Sequence, residues 1–361
     1  AGEKLAAAQQ QRIIETVAHV ISEQYVDKDK ALEMAESIHS ALDSGSYDDI
    51  TDLPAFCRRI TEDLQEVSKD RHLRVVPYQD ELKGEENADF EEIARQRLPI
   101  WKEKNFGFRK VERLDGNIGY IDLRFFADTQ YAGPTAIAAM NLVAYCDALI
   151  FDLRRNTGGQ PSMIQLISSY LYDTPTHIGG FYLREDDSMQ QFWTQAYVSG
   201  PRLTDVPVYV LVSDKTFSAA EGFAYSLQQL ERATIVGETT GGGANPQRPH
   251  YFPEASITVH VPYGKAVTPP ANDNWEGTGV APDIAVPASE ALEAAQVEAI
   301  KGMLDKEEDE SARHALRMIM AEAEARRSPI RLTDSELDEY AGAYERGIRI
   351  VVEGGGLEVL G

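Results

Sequence analysis

The 361-residue chain holds only 2 Cys, 3 Trp and 7 His, and its 35 basic side chains are outnumbered by 59 acidic ones. Two cysteines cannot build a disulfide framework, and neither sits in a CxxC or CxxH spacing, so structural zinc and thioredoxin-type chemistry lack their ligands. No run approaches the roughly 18 apolar residues of a membrane-spanning helix, and no basic n-region followed by an apolar h-region opens the chain. A net charge of −24 repels phosphate backbones and anionic lipid surfaces, and no basic patch offsets it. HExxH, EF-hand and Gly-Lys-Ser/Thr phosphate loops are all missing, so neither metal nor nucleotide cofactor is expected. What is present is an ordinary 43% hydrophobic fraction in a chain long enough for two or three domains.

From Leu5 to about Asp63 apolar residues recur at intervals of three and four: Ile13, Ile14, Val17 and Ile21, then Ala31, Met34 and Ile38, then Phe56, Ile60 and Leu64. This pattern predicts three helices, the last started by Asp52 or Pro54. From Asn105 onward β-like runs such as "NIGYIDL", "DALIFDL", "VPVYVLVS" and "ATIVGE" alternate with helical ones, including one from about Pro134 to Ala144. Alternation of this kind predicts an α/β (α+β) domain with a largely buried sheet. The expected division is a helical bundle over 1–75, a linker over 76–104, the α/β domain over 105–288, and C-terminal helices with a "RIVVEGGGLEVL" hairpin over 289–361. That last part resembles the start of a further domain, since a lone hairpin is marginal.

The strongest local signal is "VPVYVLVSDKTFSAAEGFAY": a strand, a polar turn, and a helix opening on Ser218, Ala219 and Ala220. A serine at such a turn exposes its hydroxyl at the sheet edge, and the next N–H lies at a helix N-terminus, where an oxyanion is stabilised. The competing role for Ser218 is an ordinary N-cap. A second loop of the same kind follows "DALIFDL", where Gly158 and Gly159 would let backbone N–H groups approach a substrate oxygen. Both loops fall on the edge of the sheet where α/β proteins place their sites.

Together, "DLRRNTGG", "DKTFSAAEGFAYSLQ", "IVGETTGGGANP" and "WEGTGVAPDIAV", in this order across roughly Gly107 to Val286, resemble the serine peptidases of the carboxyl-terminal-processing (tail-specific) group. "SKDRHLRV" after the helical segments extends the likeness toward the branch holding the tricorn core protease and the repeats of interphotoreceptor retinoid-binding protein. The resemblance implies a ClpP/crotonase-like β/β/α core, with Ser218 as nucleophile and an oxyanion hole from Ala219 and Gly158 or Gly159. It also implies a peptide or unfolded protein as substrate, export to a periplasmic or extracellular space, and a homo-oligomer as one possible state. Where the tail-processing branch has a lysine base, in a motif like VGEKTFGKG, this chain has Gly243, which cannot take a proton.

A hydroxyl without a lysine base needs a histidine and a carboxylate. His19, His39 and His314 fall on helical segments, and His177, His250 and His260 in or beside β-like stretches. His72 matches the histidine of the tricorn-like branch, and Glu276, in "NDNWEGTGV", lies near where that branch supplies its glutamate. Glu221, one helical turn after Ser218, is a rival and supporting residue, and Asp70 beside His72 is a third possibility. The alternative function is a hydrophobic-ligand-binding module on the same fold with a vestigial serine site. Cys57 and Cys146 are expected to be buried small hydrophobes.

Overall fold

The computed structural model describes residues 5–78, 90–329, 332–344, 348–353 and 356–360. Three helices open it: α1 (Ala7–Gln24), α2 (Lys28–Asp43) and α3 (Leu53–Ser68). Side-chain capping starts two of them: Asp27 accepts from the N–H groups of Asp29 and Lys30, and Asp52 from Ala55 N–H, with Pro54 in the first turn. The chain leaves α3 through Lys69 in the left-handed region, φ 59°, and enters β1 (Arg74–Pro77). The stretch expected to be a linker, 76–104, contains helix α4 (Phe90–Glu103), whose polar sequence masks its periodicity; residues 79–89 lie outside the described residues.

The next elements are β2 (Phe108–Leu114), β3 (Ile118–Leu123), α5 (Thr129–Leu142), β4 (Ala148–Asp152), α6 (Pro161–Ser168), β5 (His177–Leu183) and β6 (Ser188–Trp193). After them come β7 (Val208–Val212), α7 (Ala219–Gln229), β8 (Thr234–Gly237), β9 (Gln247–Phe252), β10 (Ile257–Pro262), β11 (Gly264–Val267) and β12 (Ile284–Ala285). A six-stranded sheet has the order β12-β8-β7-β4-β3-β2, parallel throughout except for β2. Its inner strands β3, β4 and β7 are buried at every position, as continuous apolar runs of a doubly covered parallel sheet require. Phe151, Val210 and Ile235 pack with α5, α6 and α7 on one face. Ile150, Leu211 and Val236 pack on the other with α8 (Ala291–Leu304) and residues of α9 (Glu310–Arg327). Helix α5 begins at Thr129 rather than near Pro134 because the Asp128 side chain caps it through Gln130 N–H, leaving the proline inside the helix.

Two smaller sheets flank this layer, β1-β10-β9 and β11-β5-β6, both antiparallel. The first belongs to the same core as the N-terminal helices: Ile13, Ile14, Met34, Phe56 and Ile60 pack with Val75, Ile257, Val259 and Val261, all buried. Each such aliphatic side chain contributes about 1.5–3 kcal/mol through burial, so an Ile257→Ala cavity would cost about 2–5 kcal/mol. At the C-terminal end α10 (Asp334–Tyr340), capped by Thr333, precedes a sheet of order β13-β14-β15, formed by β13 (Gly342–Ala343), β14 (Arg349–Glu353) and β15 (Gly356–Leu360). The hairpin read from "RIVVEGGGLEVL" thus gains a short third strand. No helix of the described residues is long and apolar enough to cross a membrane. Cys57 and Cys146 are free and buried, and burial pushes both thiols up, Cys57 to about 12.

Candidate active site

Strand β7 ends at Val212, and a tight turn carries the chain into α7. Ser213 Oγ donates to Arg154 O and Thr216 Oγ1 to Leu153 O, while Phe217 N–H donates to Asn156 O at 3.1 Å. These bonds lash the serine turn to the loop after β4. Ser218 itself has φ 57° and ψ −124°, far from the extended backbone of an ordinary N-cap. A non-glycine residue there is strained by about 1–3 kcal/mol, as at the elbow of strand–turn–helix nucleophiles. Its N–H donates to Glu221 Oε2 at 2.7 Å.

The Gly158–Gly159 loop fits against this turn with no room for side chains. A Cβ on Gly158 would lie 2.8 Å from Ser218 Cβ, and one on Gly159 would lie 2.1 Å from Phe126 O; both residues have positive φ. Gly158 N–H donates to Asn156 Oδ1 at 2.9 Å, whose amide in turn donates to Leu123 O. Gly159 and Phe126 meet in an isolated parallel bridge carried by Gly158 O and Gln160 N–H, which leaves Gly159 N–H outside it. Ala219, the first residue of α7, has no intrahelical acceptor for its N–H. Of the three expected oxyanion donors, Gly159 and Ala219 therefore have N–H groups to offer, and Gly158 has its own engaged.

His72 comes from the other half of the molecule. After Lys69 the chain makes a turn in which Leu73 N–H donates to Asp70 O, and Asp70 Oδ1 accepts from His72 N–H at 3.0 Å. That turn aims the imidazole at Phe217, with ring centroids 4.7 Å apart. Gly243 makes the approach possible: a Cβ there would lie 2.8 Å from His72 Cε1 and 2.3 Å from Phe217 Cζ. The position occupied by a lysine in the tail-processing motif is thus the position against which the histidine ring rests.

Behind His72 lie two carboxylates. Glu276 Oε2 accepts from Ala244 and Asn245 N–H at 2.7 and 2.8 Å. Asp70 Oδ2 accepts from Asn245 Nδ2 at 2.9 Å and from the Tyr25 hydroxyl. One oxygen of each carboxylate and one ring nitrogen of His72 fall within 4.8 Å of one another. His72 Nδ1 and Glu276 Oε1 are both buried and without a hydrogen-bond partner. Burial and the nearby Arg74 charge push His72 down to about 4, so the ring is neutral at pH 7. Burial and repulsion from Asp70 push the Glu276 carboxyl up. Asp70, His72 and Glu276 are also side-chain types that suit a cation, each with a lone pair not taken by the hydrogen bonds above.

Glu221 does something else. Its fully buried carboxylate accepts from Thr240 Oγ1 and Gly242 N–H on one oxygen and from Ser218 and Gly243 N–H on the other. Burial raises its pKa while these bonds oppose the rise. It ties the serine turn to the 240–243 loop and has no oxygen left for His72. Ser218, His72, Gly159 and Ala219 line one cleft of about 620 Å³, with Ile164, Ile178, Phe181, Phe192 and Trp275 on its walls. Among histidines, His72 is the one in that lining. The sequence does not single out Asn156, Phe217 and Asn245, which hold these groups in place. The first and last lie inside "DLRRNTGG" and "GETTGGGANP", beside glycines whose backbone role is the stronger signal.

Residues 117–286 match peptidase family S41, and residues 5–103 match the N-terminal domain of peptidase S41 in eukaryotic IRBP. A carboxyl-terminal-processing protease of Picosynechococcus sp. is 30% identical over 189 residues, which are 50% of this chain and 42% of that relative. The chain spans less than half the length of the curated relatives it matches. Among solved structures, a lipoprotein from Streptococcus agalactiae is similar with a TM-score of 0.51 at 16% identity, covering 81% of this chain and 96% of that one. Mature CPAF is similar with a TM-score of 0.53 at 12% identity, covering 79% and 94%. With both of the family's domains matched in their proper order over one continuous fold, the chain belongs to peptidase family S41.

Proposed function

We propose that this chain is a serine endopeptidase acting through Ser218, His72 and Glu276. The observation that carries the reading is Ser218 itself: a strained elbow residue, abutted by Gly158, that shares a cleft with a neutral, half-buried histidine. Ser218 Oγ attacks the scissile carbonyl carbon as its proton passes to His72, and the N–H groups of Gly159 and Ala219 receive the oxyanion. Collapse of the tetrahedral adduct expels the amine, which takes the proton from His72; water then hydrolyses the acyl-enzyme by the same steps in reverse roles. Glu276 is the orienting carboxylate because Oε1 is its one uncommitted oxygen and His72 Nδ1 its complementary donor. Asp70 and Glu221 are committed elsewhere and act as positioning residues.

A fluorophosphonate probe tests this directly. The folded wild type is expected to be labelled on Ser218 and the Ser218→Ala variant not at all; an unlabelled, folded wild type overturns the reading. The apolar walls of the cleft favour one second reading, a hydrophobic-ligand site with a vestigial serine. Tight binding of an apolar fluorophore without probe labelling would select it.

A further inference from the structure

The chain carries a net charge of −24, yet among the described residues no Asp or Glu lines the cleft, and the charged side chains that do are Arg71 and Arg74, on either side of His72. Both arginines are exposed. Arg71 is held in place by one hydrogen bond, Nη1 to Gly241 O at 2.7 Å, and lies with Cζ 5.8 Å from the Phe217 ring centroid. Arg74 has no ion-pair or hydrogen-bond partner among the described residues, although 59 acidic residues are available to supply one. Arg248, which stacks on the cleft residue Tyr263, is by contrast neutralised by Glu185 at 3.0 Å. The carboxyl groups behind the site, Asp70, Glu221 and Glu276, are turned to backbone and side-chain donors, are pushed up by burial, and are not in the cleft lining.

We infer that this arginine pair selects peptides with an acidic side chain on the C-terminal side of the cut bond. The inference rests on the peptidase reading and names its substrate class. The leaving amine takes its proton from His72, so the departing half of the peptide runs over the segment that carries His72. Arg71 and Arg74 belong to that segment. A guanidinium forms planar, paired hydrogen bonds to a carboxylate, and a locally positive cleft on a negative protein also concentrates acidic peptides there. Two solvent-accessible ion pairs of ordinary strength give a preference of about fivefold at low salt.

The experiment digests a mixture of unfolded proteins with the wild type and with the Arg71→Ala/Arg74→Ala variant, and maps the cut sites by mass spectrometry. Asp and Glu are expected to be enriched within three positions after the cut for the wild type and to lose that enrichment in the variant, each measured against the same enzyme's own cuts before neutral residues. No enrichment, or enrichment that persists in the variant, overturns the proposal. Cuts confined to the last few residues of each substrate, abolished by C-terminal amidation, would assign the arginines to a chain-terminal carboxylate instead and also overturn it. To separate this from failure of the peptidase reading, acidic and neutral versions of one peptide are titrated into Ser218→Ala. Tighter binding of the acidic version, weakened by Arg74→Glu, supports the proposal without any turnover, and equal affinities refute it.

Discussion

Placing a single methyl group on Gly243 should disable the site while leaving its chemistry intact. The position has no left-handed backbone requirement, its N–H donates to Glu221 and its carbonyl accepts from Trp275 Nε1, and an alanine keeps all of these. The new Cβ, however, would lie 2.3 and 2.4 Å from Phe217 and 2.8 Å from His72 Cε1, where ordinary contacts lie at 3.4–4 Å. Phe217 cannot retreat freely, since Arg71 flanks its ring and its N–H is tied to Asn156. Relief therefore requires His72 or Phe217 to move by about 1 Å, at a strain of about 1–3 kcal/mol. A misplacement of that size costs on the order of a hundredfold in rate. The assay is the second-order rate of fluorophosphonate labelling, with thermal unfolding as a control, for Gly243→Ala, Phe217→Leu and the double variant. Labelling should fall about a hundredfold in Gly243→Ala and recover in part when Phe217→Leu opens space. Labelling within twofold of the wild type, or a double variant no better than Gly243→Ala, would refute the steric argument.

Other outcomes separate the three acidic neighbours and the titration of the base. Glu276→Gln should lower kcat by about 10³–10⁴ with little change in unfolding, as loss of an orienting carboxylate does; Glu221→Gln should cost about 2–4 kcal/mol of stability, because four donors converge on that carboxylate. A Glu276→Gln enzyme with full activity would move the orienting role to Asp70. Because His72 must be neutral to accept a proton and is pushed down to about 4, the acid limb of kcat/KM should fall below the ordinary pH 6.5. Its folded pKa lies below the unfolded one, so its contribution to stability is full above about pH 6.5 and is lost as pH falls toward about 4. Urea midpoints of the wild type and His72→Gln should accordingly converge over that window, and parallel curves would contradict the shift. Ser218→Gly should abolish labelling yet stabilise the fold by about 1 kcal/mol, since glycine adopts φ 57° without strain; a destabilised variant would argue against a strained elbow.

Much of this arrangement was legible in the sequence because it depends on local patterns. The buried strands β3, β4 and β7 announce themselves as uninterrupted apolar runs, and the turn chemistry around Ser218 and Gly158–Gly159 needs its residue types in fixed order. Helix α4 was not legible, because its charged residues and Pro99 hide any apolar stripe. Which N–H groups of the glycine loop stay unengaged was not legible either, for it depends on Asn156 reaching Gly158 N–H, a contact set by the loop's fold. The same holds for the carboxylates: which donors reach the oxygens of Glu221, Glu276 and Asp70 is set largely by contacts between segments far apart in the chain. The absence of a lysine at Gly243 was visible in the sequence, but its positive use, as the floor on which His72 and Phe217 rest, emerges only in three dimensions.

The core shared by the N-terminal helices and the β9–β10 strands gives the molecule a temporal property. During synthesis the proposed base, His72, leaves the ribosome long before Ser218, and the helices around it lack the apolar partners Ile257, Val259 and Val261 until that hairpin has been made. Glu276 follows later still. The three proposed residues, base, nucleophile and orienting carboxylate, thus come together only after more than 200 residues have followed His72 off the ribosome, in the order 72, 218, 276.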